Sequence, residues 1–275
     1  MQNDESRILN IKTFGCFEVT YNGKFVVRRD DRNSKLSQLF SYFVYRRGQM
    51  IPQSELIANL LQNDDNAPNI LKNLVYRLRK LLAGVGVSDD AILYKVGCYG
   101  LSETMPCACD FDEFTALADS LEAKNVPFEQ QRDDFLQIIE IYAGDFLQGS
   151  CSEAWALSAA LRYQQMFEQC VLTVAAAAQH ADAYTEILDG LRKASALYVY
   201  NENIAAAYIT ALFETKNSAE ALRQYEKLAA SLLNDLGVEP CEAVKQVYRR
   251  ILVGDDSAVE SVSALRDAIV EDEAF

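Results

Sequence analysis

The segment Asn66–Leu82, NAPNILKNLVYRLRKLL, holds Lys72, Arg77, Arg79 and Lys80 and no acid, inside a 275-residue chain of net charge −14. Its apolar Leu71, Val75, Leu78 and Leu82 recur at steps of four, three and four, which predicts one stripe of a 3.6-residue helix that needs a core beneath it. Asn69, Asn73, Tyr76, Arg77 and Lys80 project to the opposite side, with Lys72 and Arg79 on the flanks. Asn66 suits the N-cap and Pro68 the first turn, where a missing N–H costs nothing. Taken alone, this is the pattern of a solvated helix face beside a core.

The surroundings change that reading. Upstream, Leu36, Leu39, Phe40, Phe43 and Val44 in Ser34–Arg47 fall at helical spacing, with Gly48 as a stop. Ile51-Pro52-Gln53-Ser54-Glu55 opens a second short helix running to Leu60 or Leu61, and the short gap forces these two helices to pack together. Downstream, ILYKVGCYGLS at Ile92–Ser102 reads as a strand pair with glycines at its tip. Ahead of everything, Ile8–Val27 clusters apolar residues around Asn22-Gly23, a strong hairpin signal. Four short strands, three helices and a terminal hairpin in about 100 residues outline a winged helix-turn-helix. In that setting the polar face of helix 69–82 carries the groups that hydrogen-bond base edges and phosphates.

The remainder reads as helices. Asp110–Ala123 begins acid-rich after an extended piece with Cys107-Ala-Cys109; Tyr142-Ala-Gly-Asp-Phe-Leu147 and Trp155 precede a long helical run through His180. Residues 183–199, 201–214 and 217–234 are further amphipathic helices, and Val244, Tyr248, Ile251 and Leu252 mark a last packed one. Successive antiparallel pairs with small residues at the crossings suggest a tetratricopeptide-like (TPR-like) stack. The fold expected is therefore mainly α with a small β component: a winged helix-turn-helix over 1–104, an all-α TPR-like domain over 105–253, and an acidic tail or final helix over 254–275.

Charge follows that division. Through Thr104 the chain has 14 Lys and Arg against 11 Asp and Glu, net +3; the rest has 12 against 29, net −17. Binding of phosphates needs a local positive face, because released counterions supply the affinity. An acidic second domain repels DNA, so a single protomer binds modestly and two or more on repeated sites compensate.

Other classes lack their residues. No Gly-rich phosphate loop, Gly-x-Ser-x-Gly or metal-binding pair is found, and His180 is the single histidine, so no enzyme, cofactor or metal is expected. Acid pairs such as Asp133-Asp134 and Asp255-Asp256 sit in solvated charge runs. Seven scattered cysteines read as free thiols, Cys107 and Cys109 as ordinary loop cysteines. No apolar run of membrane length and no basic-then-apolar leader is found, so the expected location is cytoplasmic.

These residues resemble a known family. LNIKTFGCFEVTYNGK at Leu9–Lys24, KLSQLFSYFVYRRGQMIPQSELIANLL at Lys35–Leu61 and NILKNLVYRLRKLL at Asn69–Leu82 are similar to the OmpR/PhoB-type winged helix of SARP/AfsR-type bacterial transcriptional activators. Leu78-Arg79-Lys80 matches the signature near the end of that family's recognition helix. The family's wing pattern Gly-Tyr-Arg-Leu reads Cys98-Tyr99-Gly100-Leu101 here, and Leu61 stands where a tryptophan is usual. Tyr-x-Gly-Asp-Phe-Leu, Trp155, Tyr200-Asn201-Glu202 (with Val199 for a usual proline) and Leu236-Gly-Val-Glu-Pro240 resemble, in order, the bacterial transcriptional activator domain.

The resemblance implies a sequence-specific DNA-binding transcriptional regulator, an activator that binds direct repeats near promoters and recruits RNA polymerase. Its helical domain would support self-association or respond to an effector, whose identity the sequence leaves open. Asn69, Lys72, Asn73, Tyr76 and Arg77 are the candidates for bases or phosphates in the major groove, Arg79 and Lys80 for backbone phosphates, and Lys95 on the wing for the minor groove. With about seven residues ahead of the first strand, no receiver domain is expected before it. The alternative is a TPR-like interaction module or adaptor whose winged helix no longer binds DNA, with Trp155, Tyr163, Tyr184, Tyr198, Tyr208 and Tyr225 as groove or packing residues.

Overall fold

The computed structural model describes residues 8–31, 34–62, 65–150 and 153–254. The tail expected over 254–275, with its Asp255-Asp256 pair, lies outside the described residues beyond 254. The chain divides into two compact units, Met1–Ala116 with Ile141–Gln165, and Leu117–Glu140 with Met166–Phe275.

In the first unit, β1 (Leu9–Lys12), β2 (Glu18–Tyr21) and β3 (Lys24–Val27) form an antiparallel meander. Asn22 and Gly23 take positive φ at the β2–β3 turn, as a two-residue hairpin requires. The meander packs alternate residues inward: Leu9, Ile11, Val19 and Tyr21 are buried. Helices α1 (Lys35–Tyr45), α2 (Gln53–Leu60) and α3 (Ala67–Gly84) follow, with the short strand β4 (Ile51–Pro52) between the first two. Ser34 caps α1 by accepting from the Ser37 N–H at 3.1 Å.

A polar clasp joins α1 to α2. The Tyr42 hydroxyl donates to Glu55 Oε1 at 2.7 Å and accepts from Asn59 Nδ2 at 2.9 Å, while Arg46 Nη1 donates to the same Glu55 oxygen at 2.7 Å. Burial, then the Glu55 carboxylate, push the Tyr42 phenol up to about 12. It stays protonated and keeps donating.

The wing strands β5 (Ile92–Lys95) and β6 (Cys98–Leu101) pair antiparallel, and β6 pairs β4 on its other side. The fourth strand of the first sheet comes from beyond the wing: β7 (Cys107–Cys109) runs parallel to β1, Leu9 facing Cys107 and Ile11 facing Cys109. Helix α4 (Asp110–Glu122) starts at once after it. Asp110 accepts from the Thr13 N–H and hydroxyl, both at 2.6 Å, and from the Phe14 N–H at 3.0 Å, sealing the end of β1.

The Tyr142–Leu147 segment closes this unit. Gly15 N–H donates to Asp145 O at 3.0 Å and Leu147 N–H to Thr13 O at 2.7 Å. Gly15 and Gly144 touch backbone to backbone: a Cβ on Gly144 would lie 2.9 Å from Gly15 Cα, and one on Gly15 2.9 Å from Ala143 O. Above them Phe14 packs on Phe114, Tyr142, Phe146 and Tyr163 with centroids 4.6–6.3 Å apart. Trp155, at the start of α6 (Ala154–Ala181), stands edge-on to Tyr42 at 4.8 Å.

The second unit is helical, with α5 (Phe128–Ile141), the later part of α6, α7 (Leu188–Leu197), α8 (Glu202–Glu214), α9 (Ser218–Ser231) and α10 (Glu242–Gly254). The helix expected from residue 183 starts only at Leu188, because Tyr184–Glu186 form a 3₁₀ turn first. Gly190 lets α7 approach α5 closely; a Cβ there would meet the Phe135 ring at 2.6 Å. Tyr200-Asn201-Glu202 acts as a staple. Asn201 caps α8 by accepting from Ile204 N–H at 3.0 Å, its amide donates to Glu168 at 2.8 Å, and the Tyr200 hydroxyl donates to Asp235 at 3.0 Å. Gly237, at φ +70°, ends the turn after α9, where Leu-Gly-Val-Glu-Pro begins. Tyr225 and Tyr248 stack 4.1 Å apart between α9 and α10.

Candidate nucleic-acid interface

The buried side of α3 is the stripe that the spacing predicted: Leu71, Val75, Leu78 and Leu82 are all buried, and Leu74 joins them. Asn66 sits at the N-cap, but its side chain caps no backbone N–H. Its Oδ1 accepts from Asn69 Nδ2 at 2.7 Å, and its main-chain carbonyl accepts from the Asn69 and Ile70 N–H groups.

The opposite face is solvent-exposed at Asn69, Lys72, Asn73, Tyr76, Arg77 and Lys80. Lys72 and Arg77 make no ion pair among the described residues. Lys80 Nζ lies 5.8 Å from the Tyr76 ring centroid, a cation–π arrangement that leaves its charge outward. Tyr76 itself is 59% exposed.

Arg79 differs from these. It is half-buried, and its Nε and Nη2 donate to the Ile92 carbonyl at 3.1 and 2.7 Å. Ile92 opens β5, so one guanidinium ties α3 to the wing. Periodicity placed Arg79 on the flank; only the fold shows that the flank meets a strand.

Between α3 and β5 runs an open groove of about 540 Å³ lined by Tyr76, Arg79, Lys80, Asp90, Leu93 and Tyr94. Tyr94, 56% exposed, packs 4.8 Å from Tyr99. Lys95 is exposed next to it, and the turn Val96-Gly97 has positive φ at both residues. Gln53 N–H donates to Gly97 O at 2.9 Å, so the wing turn is anchored on the first turn of α2. Tyr94 and Val96 are both exposed at this turn, neither of them among the residues that the sequence singled out.

Gly100 explains one departure from the wing pattern. A Cβ there would stand 2.6 Å from Gln49 O and 3.1 Å from Met50 Sδ, so a side chain at this position would force the Gln49 backbone to shift.

The helical unit contributes a different surface, a groove of about 330 Å³ among α7, α8 and α9, lined by Arg192, Val199, Tyr208, Glu220 and Lys227. Of the six aromatic residues considered for such a groove, Tyr163, Tyr184 and Tyr208 are buried, and Tyr208 alone lines it.

Residues 109–252 match the model of the bacterial transcriptional activator domain. The chain belongs to that family. Among similar proteins, regulatory protein DnrI of Streptomyces peucetius is 26% identical over 267 residues, covering 90% of this chain and 93% of its own. Transcriptional regulatory protein MoaR1 of Mycobacterium tuberculosis is 23% identical over 265 residues, covering 91% and 84%. The solved structure of M. tuberculosis EmbR in complex with a low-affinity phosphopeptide has the same fold, with TM-score 0.67 at 21% identity over 98% of this chain and 72% of that one. Together with the winged helix ahead of it, this activator-domain protein is a transcriptional regulator of the SARP type. Among the described residues no helix is long and apolar enough to cross a membrane.

Proposed function

We propose that the first 104 residues read promoter DNA through α3, that residues 105–253 serve self-association, effector binding or RNA polymerase contact, and that the protein acts as a cytoplasmic activator. The observation that carries this reading is the acid-free exposed face of α3, where two amides, a phenol and three cations stand together on a helix whose other side is core. In a chain of net charge −14 such a local positive face is what phosphate binding requires.

In this reading α3 enters the major groove. Asn69 and Asn73 offer the amide pair that matches adenine, Arg77 the fork that matches guanine, and Lys72 and Tyr76 meet bases or phosphates. Lys80 holds a backbone phosphate. Arg79 serves by seating the helix against β5, with its charge beside the backbone phosphates that Lys80 meets. Lys95 approaches the minor groove from the wing. Two or more protomers on promoter repeats offset the repulsion from the acidic helical domain.

A mobility-shift titration of the full chain on promoter fragments, at low and moderate salt, tests this. A shift that weakens steeply with salt is expected. A chain that shifts no fragment at any salt has lost DNA binding, and the interaction-module reading then takes its place.

A further inference from the structure

Between α7, α8 and α9 the second unit holds the groove of about 330 Å³ described above, near the lower end of the roughly 300–1,000 Å³ range in which small organic molecules bind. Much of its lining is apolar: Ala205, Ile209 and Leu228 are buried, and Val199, 45% exposed, stands at the rim. Tyr208 is the exception among the buried residues. It is only 5% exposed, yet its hydroxyl makes no hydrogen bond among the described residues, and its oxygen is not sealed inside the protein. A buried phenol needs a partner, and the groove is the side from which one can reach it.

The charges around it favour an anion. Burial first, then the Glu220 carboxylate, hold the Tyr208 phenol above its ordinary range, so it stays a proton donor. Glu220 is the acid in the lining, and both its oxygens are engaged: Oε1 accepts from Gln224 at 2.7 Å, Oε2 from Arg223 at 2.5 and 2.9 Å. Arg223 thus answers that charge within α9. Arg192, on α7, is held in turn by Asp189 at 2.6 and 3.1 Å. Lys227, two turns along α9 from Glu220 and also in the lining, makes no ion pair among the described residues. It is the cation of the groove left without a counter-charge.

We infer that this groove binds a small organic anion, a carboxylate on an aliphatic or aromatic body, with the body on Ala205, Ile209 and Leu228 and the carboxylate meeting the Tyr208 hydroxyl and Lys227. The inference gives the effector reading of residues 105–253 a place and a chemistry, and rests on that reading for its consequence; the binding itself is measured without DNA. The phenol supplies a hydrogen bond to a charged acceptor, and the ammonium neutralises it. An uncharged analogue is selected against, because it leaves Lys227 without its counter-charge.

The test titrates 4-phenylbutyrate into the full chain by isothermal calorimetry, with 4-phenylbutyramide and acetate as controls. Expected is saturable binding of one carboxylate per chain, with the amide and acetate each weaker by roughly tenfold or more. Tyr208→Phe and Lys227→Met should each weaken the carboxylate roughly tenfold without changing the melting temperature of the free protein. Lys124→Met, outside the groove, should change nothing. If Tyr208→Phe melts lower, Lys227→Met decides, since the exposed Lys227 side chain carries no core packing. Equal binding of acid and amide overturns the anion site, and so does full affinity in the Lys227→Met variant. No binding with the probe at several millimolar overturns it as well. The mobility shift without probe decides the DNA reading separately: a chain that shifts no fragment yet binds the probe in this pattern keeps the site.

Discussion

The Arg79 guanidinium grips the carbonyl of Ile92 with two N–H groups, at 3.1 and 2.7 Å, and so fixes the angle between the basic helix and the first strand of the wing. Charge-assisted hydrogen bonds of this kind are worth more than neutral ones, and the fork geometry is specific to arginine. Arg79→Ala is expected to destabilise the protein by about 1–3 kcal/mol in urea unfolding. Arg79→Lys should behave like the alanine variant, since lysine keeps the charge and loses the fork. A lysine variant with wild-type stability and reduced DNA affinity would show that the residue matters through its charge instead.

Arg77 carries no such internal duty. Arg77→Ala should leave the melting temperature unchanged and weaken binding to a shifted promoter fragment by roughly 1–3 kcal/mol, relaxing preference at one base pair. Lys80→Ala, by contrast, should weaken all sequences alike and lower the salt slope by about one. Fluorescence anisotropy across a salt series separates the two outcomes.

Leu78 faces the other way, fully buried under α3. Truncation to alanine is expected to cost about 2–5 kcal/mol, from lost apolar burial and the cavity left behind. Differential scanning calorimetry would read this directly; a loss below 1 kcal/mol would mean that the helix is not seated on its apolar stripe.

Gly100→Ala places a methyl group 2.6 Å from the Gln49 carbonyl, where backbone has to move. The variant should unfold at clearly lower temperature, and its loss should exceed that of Gly23→Ala only in packing, because Gly23 has open space around it and resists a side chain through its φ of +72°.

Thiol chemistry offers a check on the strand β7. Burial pushes Cys107 up to about 11 and Cys109 to about 12, with Arg47 pulling the other way, and burial raises Cys170 to about 12. Thiolate is the reactive form, so at pH 7.5 a maleimide should label exposed Cys241 and spare these three. Mass mapping over a pH series should show Cys107 labelling only as the pH nears its raised value. Ready labelling of Cys107 near neutrality would contradict the packing described for β7.

Much of this architecture was readable in the residues because it rests on local rules. The four-three-four spacing of Leu71, Val75, Leu78 and Leu82 dictates a buried stripe whatever lies beneath it, and Asn22-Gly23 dictates a tight turn. What escaped the sequence depends on distant partners. Asn66 holds the N-cap position, but its side chain accepts from the Asn69 amide instead of a backbone N–H, and the duty of Arg79 depends on a strand 13 residues away. The parallel pairing of β7 with β1 joins residues almost 100 positions apart, which no periodicity encodes. At the wing the difficulty was of another kind. Val96 reads as an ordinary apolar residue until its φ and exposure are known.

The contact of Gly15 with Gly144 has a wider consequence. The loop Tyr142–Leu147, part of the domain matched over 109–252, supplies backbone partners to Thr13 and Gly15 and covers Phe14 with Tyr142 and Phe146. The N-terminal sheet and its core are thus finished by a stretch of chain made some 130 residues later. A nascent chain exposes Phe14 until that stretch emerges, and a head cut free would keep it exposed. Cutting the chain ahead of Tyr142 therefore removes backbone partners of Thr13 and Gly15 together with two of the rings on Phe14.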